Sequence, residues 1–343
     1  MSRLLVAALS ATLVAAGPVP VDPDLPSYRP QPFTVPKDAG YVMRDGSLQI
    51  VGAHRMDVAF ANLNALFVKS HPGTRFTMSL HGAATAIGGL YTNVSAFAPN
   101  SREFWPAEVA AFKMTFGYEP TAIRVVHGAF RKVSKGNPIA VFVHPANPLD
   151  KLTTDQVARI FSAGAAGGDL TRWGQVGLTA DWAARPIHPI GPSATSGNIQ
   201  GVAIMMKQVY FGDRPYAAGY EEVGSTAAIL KRVSEEPSGI GFASFDGFEV
   251  KEAPRLKILA IAEKEGGYYS NASREDILAR RYPYLRDIYF YVNRAPGKPL
   301  DPFVKEYLRM VLSKEGQQAM TAEEDGFLPL SAKEAAAELA KLE

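Results

Sequence analysis

Three stretches of this sequence carry residue types suited to holding a small anion. Residues 191–202 read GPSATSGNIQGV, residues 81–89 read HGAATAIGG and residues 52–57 read GAHRMD. Each follows a strand-like run and opens onto a helix-patterned one. At such a junction the first helical turn presents N–H groups with no intrahelical partner, and the helix dipole favours negative charge. Glycine lets the backbone approach a ligand closely, the hydroxyls and Asn198 add short donors, and Arg55 adds a cation. No Gly-Lys-Ser/Thr follows at P-loop spacing, and GAATAIGG is a poor dinucleotide fingerprint. No serine has the Gly-x-Ser-x-Gly spacing of a nucleophile elbow. No histidine pair has zinc-ligand spacing, and His54 and His81 read as structural or exposed residues within these stretches. The absence of cysteine excludes thiol nucleophiles, thiolate metal sites, disulfides and lipid attachment at an N-terminal cysteine. The pattern is one of binding rather than covalent catalysis, with no metal and no cofactor implied.

The elements that must position these stretches alternate between strand and helix. LQIVG precedes a helical pattern from Asp57 to His71, and HPGTRFTMSL reads as a turn followed by a strand. AIRVVHGAF and IAVFVHP are strand-like, and LTTDQVARIFSAG begins a helix with Thr153 and Gln156 at capping-box spacing. RPIHPIG is a strand leading into the helix NIQGVAIMMKQVYFG; GIGFASFDGF, RLKILAIA and DIYFYVN are further strands. Asp301-Pro302 places an N-cap before a proline at the first helical position, and Phe303, Val304, Tyr307, Leu308, Val311 and Leu312 follow at helical spacing. Such alternation indicates an α/β architecture with mostly parallel sheets.

Composition narrows the class further. The 343 residues are 47% hydrophobic and 20% charged, and Lys+Arg 36 against Asp+Glu 34 leaves a net charge of +2. That balance gives no footprint for nucleic acid. MSRLLVAALSATLVAAG has the charged start, apolar middle and small-residue cleavage site of a secretory signal, and is too short to span a bilayer. Residues 1–16 are therefore expected to be removed on export to the periplasm. The proline-rich residues 17–45 read as an extended linker. The charged run SAKEAAAELAKLE reads as a solvated helix or frayed tail.

In order along the chain, these segments resemble the periplasmic phosphate-binding proteins of ABC importers. IVGAHRMDVAFANLNALFVKSHPGTRFTMSLHGAATAIGGL resembles that family's opening strand, helix and second ligand loop. NPIAVFVHPANPLDKLTTDQVARIFSAG with TRWGQVG is similar to its second-domain entry, and GIGFASF to its Gly-Ile-Gly-Tyr strand. DIYFYVNRAPGKPLDPFVKEYLRMVLSKEGQQAM and GFLPL are similar to its closing region. The resemblance spans about Gly52 to Leu330. It implies a two-lobed type II periplasmic binding protein, each lobe a mixed, mostly parallel sheet flanked by helices. Lobe I would take residues 46–130 and 290–343 and lobe II residues 131–289, with a two-strand hinge near Val125–Phe142 and Ile288–Val292. The implied function is capture of inorganic phosphate or a related oxyanion by a monomer, for delivery to an ABC permease with its ATPase.

Carried over position by position, the family's ligand residues fall on Arg55 and Met56 in the first loop and on Ala83, Ala84 and Thr85 in the second. The third loop contributes Ser196, Gly197 and Asn198. Two departures stand out. The family's acidic residue would fall on Ser95 or Ala96, so Ser95 is the residue left at that position, although the Ser101-Arg102 pair that follows it is kept. The family's third-loop arginine would fall on Pro192. Arg55 would restore the positive charge from the opposite lobe, with Asp57 as a substitute acceptor. Because both charged anchors are displaced, two alternatives stay open: the same fold around another oxyanion or an organic ligand, and a sensory or interaction protein that no longer binds phosphate.

Overall fold

Among the described residues the alternating runs build four hydrophobic clusters, the two largest around Phe67 and Phe290 in one lobe and around Phe161 and Phe242 in the other. The computed structural model describes residues 20–53, 56–128, 137–196, 199–244, 256–321 and 327–343. The expected signal segment 1–16 and the loop residues His54, Arg55, Gly197 and Asn198 lie outside the described residues. In lobe I the order is β1 (Leu48–Val51), α1 (Asp57–Ser70), β2 (Phe76–Ser79), α2 (Ala83–Tyr91), β3 (Ala98–Asn100), α3 (Pro106–Phe116) and β4 (Thr121–His127). Lobe II contains β5 (Ile139–Val143), β6 (Lys151–Thr153), α4 (Thr154–Phe161), β7 (His188–Pro192) and α5 (Gln200–Met205). It continues through β8 (Glu221–Val223), α6 (Thr226–Glu235), β9 (Gly239–Ser244), β10 (Lys257–Ile258), β11 (Ala260–Ala262) and α7 (Arg274–Leu278). The chain then returns to lobe I with β12 (Asp287–Val292), α8 (Pro302–Val311), α9 (Lys314–Met320) and α10 (Ala332–Ala340).

The sheets are mixed. In lobe I β1 pairs with β2 in parallel, while β12 lies between β3 and β4, antiparallel to both. In lobe II the order is β10-β5-β9-β7-β8, with β6 and β11 forming a separate parallel pair. Among the described residues four pairings are parallel and four antiparallel, so the sheets are mixed rather than mostly parallel. The antiparallel pairings gather on the strands next to the lobe crossings, β4, β5, β9 and β12. A chain that leaves one lobe and returns through the neighbouring segment brings strands back in opposite directions there.

The local signals do what their chemistry requires. Thr153 Oγ1 accepts from Gln156 N at 3.2 Å while Gln156 Oε1 accepts from Thr153 N at 2.9 Å, which closes the capping box of α4. Asp301 Oδ1 accepts from the amides of Phe303 and Val304 at the start of α8. In the core of lobe I the rings of Phe97 and Phe290 stack with centroids 5.1 Å apart, with Phe60 over Phe290 at 5.4 Å. Burying such a side chain contributes about 1.5–3 kcal/mol relative to exposure. Among the described residues no helix is long and apolar enough to cross a membrane.

Two segments read as peripheral in sequence are integral to lobe I. The described part of the proline-rich stretch is no free spacer: Leu25 and Tyr41 are buried in the core, and Phe33 lies 5.6 Å from both Phe67 and Phe303. Tyr28 Oη donates to Glu306 Oε1 at 2.8 Å and Tyr41 Oη to Asp301 Oδ2 at 2.7 Å. Prolines set an extended path, but the aromatics between them find an apolar surface to cover. Nor is the charged C-terminal run a frayed tail. It forms α10, capped by Ser331, and buries Ala335 and Glu338 against β4, where Glu338 Oε2 accepts from Arg124 N at 3.0 Å.

Candidate functional site

The three small-residue stretches leave from the carboxyl ends of β1, β2 and β7, each the end of a parallel pairing. In open α/β sheets ligands gather at such edges. Between the first two, Gly82 N donates to Gly52 O at 3.0 Å and Ala53 N donates to Pro99 O at 2.9 Å, which draws Gly52 and Ala53, the start of α2 and the end of β3 together. A Cβ on Gly52 would sit 2.5 Å from Pro99 Cγ and from Pro99 O, so only glycine permits that approach.

The second stretch is mostly helix rather than loop: α2 begins at Ala83, so Ala83, Ala84 and Thr85 are its first three residues. Gly82 enters it at φ 151°, a conformation suited to glycine, and no side chain caps it. Its leading N–H groups therefore point out of the helix toward any anion placed there. Ala84 and Thr85 are exposed. Thr85 Oγ1 donates back to Gly82 O at 2.8 Å, so its proton serves the turn and its oxygen remains only as an acceptor.

Two expected contacts are corrected by burial. Met56 is fully buried in the core of lobe I, where its side chain packs and its carbonyl accepts from Phe60 N at 2.9 Å. Ser95 is buried too; its Oγ accepts from Val51 N at 2.8 Å and donates to Phe97 O at 2.6 Å. A hydroxyl has one proton, and this one is spent on bracing β1 against the segment before β3. Arg102 is likewise committed. Its guanidinium holds both carboxylate oxygens of Glu108 at 2.7 and 2.8 Å and lies 3.7 Å over the Trp105 ring.

In lobe II the third loop is organised by Ser193, a residue the spacing of GPSATSGN does not single out. Ser193 is buried, its Oγ accepts from the amides of Thr195 and Ser196 at 3.2 Å each, and it donates to Glu222 of β8. This turns two consecutive N–H groups inward and leaves the side chains of Thr195 and Ser196 exposed. Pro192 is buried at the end of β7, and its carbonyl accepts from Tyr220 Oη at 2.8 Å. The helix that follows, α5, continues as a π-helical turn over Met206–Tyr210.

Beside the hinge lies a cleft of about 350 Å³ lined by Arg102, Trp105, Arg124, Val209, Arg280 and Asp287 among others. Arg102, Arg124 and Arg280 already hold carboxylates, while Arg286 donates to Ser101 O. The centre of that arrangement is Asp287 at the start of β12. Asp287 Oδ1 lies 2.7 Å from His127 Nδ1 and 3.0 Å from Arg280 Nη1, and Oδ2 lies 3.1 Å from Arg280 Nη2 and 3.3 Å from Arg124 Nη1. His127 Nε2 reaches Glu334 of α10 at 3.2 Å. Burial works against the ionised Asp287, but the hydrogen bonds from His127 and Arg280 outweigh it and hold the carboxyl far below the usual range. Burial likewise opposes a charged His127, yet its bonds to Asp287 and Glu334 raise its pKa. Glu334 is pushed down to about 2: burial opposes this, and the His127 and Ser331 contacts prevail. Arg280, from the segment after α7, is thus tied to β12 through Asp287 and approaches Glu334 of α10 at 3.8 Å.

Comparison with known proteins agrees with this architecture. The sequence profile of the PBP superfamily domain matches residues 41–315. The phosphate-binding protein PstS of Pseudomonas aeruginosa is 33% identical over 331 residues, covering 94% of this chain and 91% of that protein. The crystal structure of PstS from Borrelia burgdorferi superposes with a TM-score of 0.56 at 18% identity, covering 82% of this chain and 97% of that one. An ABC-type phosphate transport receptor from Vibrio cholerae does so with a TM-score of 0.55 at 18% identity, covering 83% of this chain and 100% of that one. With two lobes, mixed sheets, small-residue loops at strand carboxyl ends and a relative one-third identical along nearly its whole length, the chain belongs to the PBP superfamily, among its phosphate-binding proteins.

Proposed function

We propose that this protein is an exported receptor that captures inorganic phosphate between its lobes and hands it to an ABC importer, without covalent chemistry. The observation that carries this reading is the set of three helix-leading loops at the carboxyl edges of β1, β2 and β7, in a chain 33% identical to a phosphate-binding protein. The ligand is held by the backbone of loop 52–56 with Arg55, by the free N–H groups of Ala83 and Ala84 at α2, and by Ser196, Gly197 and Asn198. Thr85 closes the α2 turn beside them. Closure of the two lobes about the hinge excludes water from the anion. Cleavage of residues 1–16 on export releases the protein to the periplasm. There it works as a monomer with a permease and its ATPase.

A thermal-shift and calorimetry panel tests this on the mature protein with phosphate, sulfate, phosphonates and a sugar. A ligand that binds the folded state alone stabilises it by RT ln(1 + [L]/Kd), about 2.7 kcal/mol at a hundredfold excess over Kd. Phosphate is expected to raise the melting temperature and to titrate to one site per chain. No shift with phosphate at millimolar concentration sinks the reading, and a stronger response to another anion reassigns the ligand.

A further inference from the structure

The least satisfied side chain in the described structure is Asn100, the last residue of β3. It is fully buried, and neither its Oδ1 nor its Nδ2 has a hydrogen-bond partner. Buried polar groups in folded proteins are almost always paired, because an unmade hydrogen bond leaves the desolvation of that group uncompensated. A leucine of similar size would avoid that cost, so a carboxamide here calls for a partner that joins later.

Its position says where the partner sits. The segment leading into β3 and the strand itself run back along α2: Ser95 N donates to Gly89 O near the end of that helix, and Pro99 O accepts from Ala53 N beside its start. Asn100 therefore lies at the N-terminal end of α2, beside Ala53. The register with β12 pairs Asn100 with Tyr289 and Ala98 with Tyr291. Ala98, Tyr291 and Tyr289 pack with Ala86, Ile87 and Leu90 of α2, so strand alternation puts Asn100 on the face that α2 covers. An uncapped nine-residue helix and an unsatisfied carboxamide thus converge on one spot.

We propose that Asn100 contacts the bound oxyanion and selects for a protonated one, taking over the role of the carboxylate missing at Ser95 and Ala96. This rests on the reading of the protein as an oxyanion receptor. The group that suits the spot is anionic for the helix end, accepts a hydrogen bond from Nδ2 and gives a proton to Oδ1. Hydrogen phosphate meets all three requirements, whereas sulfate has no proton to give and leaves Oδ1 facing a lone pair. A neutral amide repels sulfate less than a carboxylate does, so discrimination here is milder than an acid would impose.

The test is calorimetric titration of phosphate and sulfate into wild type, Asn100→Leu and Asn100→Asp, with a melting curve for each. Asn100→Leu is expected to melt at or above the wild-type temperature while binding phosphate roughly ten- to hundredfold more weakly, the range of one or two hydrogen bonds to a charged ligand. Asn100→Asp is expected to raise the ratio of phosphate to sulfate affinity. Wild-type phosphate affinity in Asn100→Leu overturns the assignment and leaves the receptor reading intact. Should that variant not fold, an unchanged phosphate-to-sulfate ratio in Asn100→Asp overturns it. So does an Asn100 side-chain amide resonance, in asparagine-labelled wild type, that does not move on saturation with phosphate. Failure of wild type itself to bind any anion overturns the receptor reading and this assignment together.

Discussion

Replacing Asp287 with asparagine probes the ionic cluster that ties the lobes at the hinge. The carboxylate is 9% exposed and receives Arg280 through two bonds of 3.0 and 3.1 Å, His127 at 2.7 Å and Arg124 at 3.3 Å. The substituted carboxamide keeps the shape but removes the charge and turns one acceptor into a donor that faces cations. Removing one partner of a buried ion pair costs about 3–5 kcal/mol, because the remaining charges stay buried without compensation. We expect a loss in that range in urea unfolding followed by tryptophan fluorescence. The loss also has a defined pH dependence. His127 has its pKa raised in the fold, so its contribution is fully present below its unfolded value near 6.5 and is lost as pH rises through the folded value. Asp287 has its pKa lowered, so its contribution is present above its unfolded value of 3.8 and is lost as pH falls through the folded one. Asp287→Asn removes both the carboxylate and the main reason for His127 to be charged. The difference in stability between wild type and variant is therefore larger at pH 5.5 than at pH 9. A loss below about 1 kcal/mol, or one that grows from pH 5.5 to pH 9, refutes the account of a buried cluster held by Asp287.

Three further outcomes follow from the loops. Ser193→Ala removes the acceptor for the amides of Thr195 and Ser196 at 3.2 Å each. Phosphate affinity by calorimetry should fall by roughly five- to thirtyfold, about 1–2 kcal/mol, and wild-type affinity would show that the loop holds its shape without that hydroxyl. Gly52→Ala places a Cβ 2.5 Å from Pro99 and forces loop 52–56 outward. The expected cost is about 1–3 kcal/mol of stability together with weaker binding, and a melting temperature within a degree of wild type contradicts the close approach. Arg55→Ala, at a position outside the described residues, should weaken phosphate binding at least about tenfold if its guanidinium supplies a charge-assisted bond. Equal affinity removes Arg55 from the site.

Much of the fold was legible because its signals are local. The pairing of Thr153 with Gln156, the Asp301-Pro302 start of α8 and the strand DIYFYV depend on neighbours in sequence, and the structure keeps each of them, although β12 is buried on both faces rather than alternating. The strand-loop-helix junctions were legible for the same reason. Which side chains at those junctions face a ligand was not. Met56 and Ser95 look like loop residues in the string, yet one is drawn into the core and the other is fully occupied as a brace.

By itself the sequence determined the α/β class, the strand-loop-helix junctions and several of the helix starts. Only the tertiary structure decided how residues distant in sequence divide the polar work. It seats the aromatics of the proline-rich segment on lobe I, sets Ser193 against Glu222, and joins His127, Arg280, Asp287 and Glu334 at the hinge. It also leaves Asn100 buried without a partner. The reason is physical: helix caps and strand periodicity are satisfied within a few residues, whereas burial and the choice of hydrogen-bond partner exist only once separate segments have packed together.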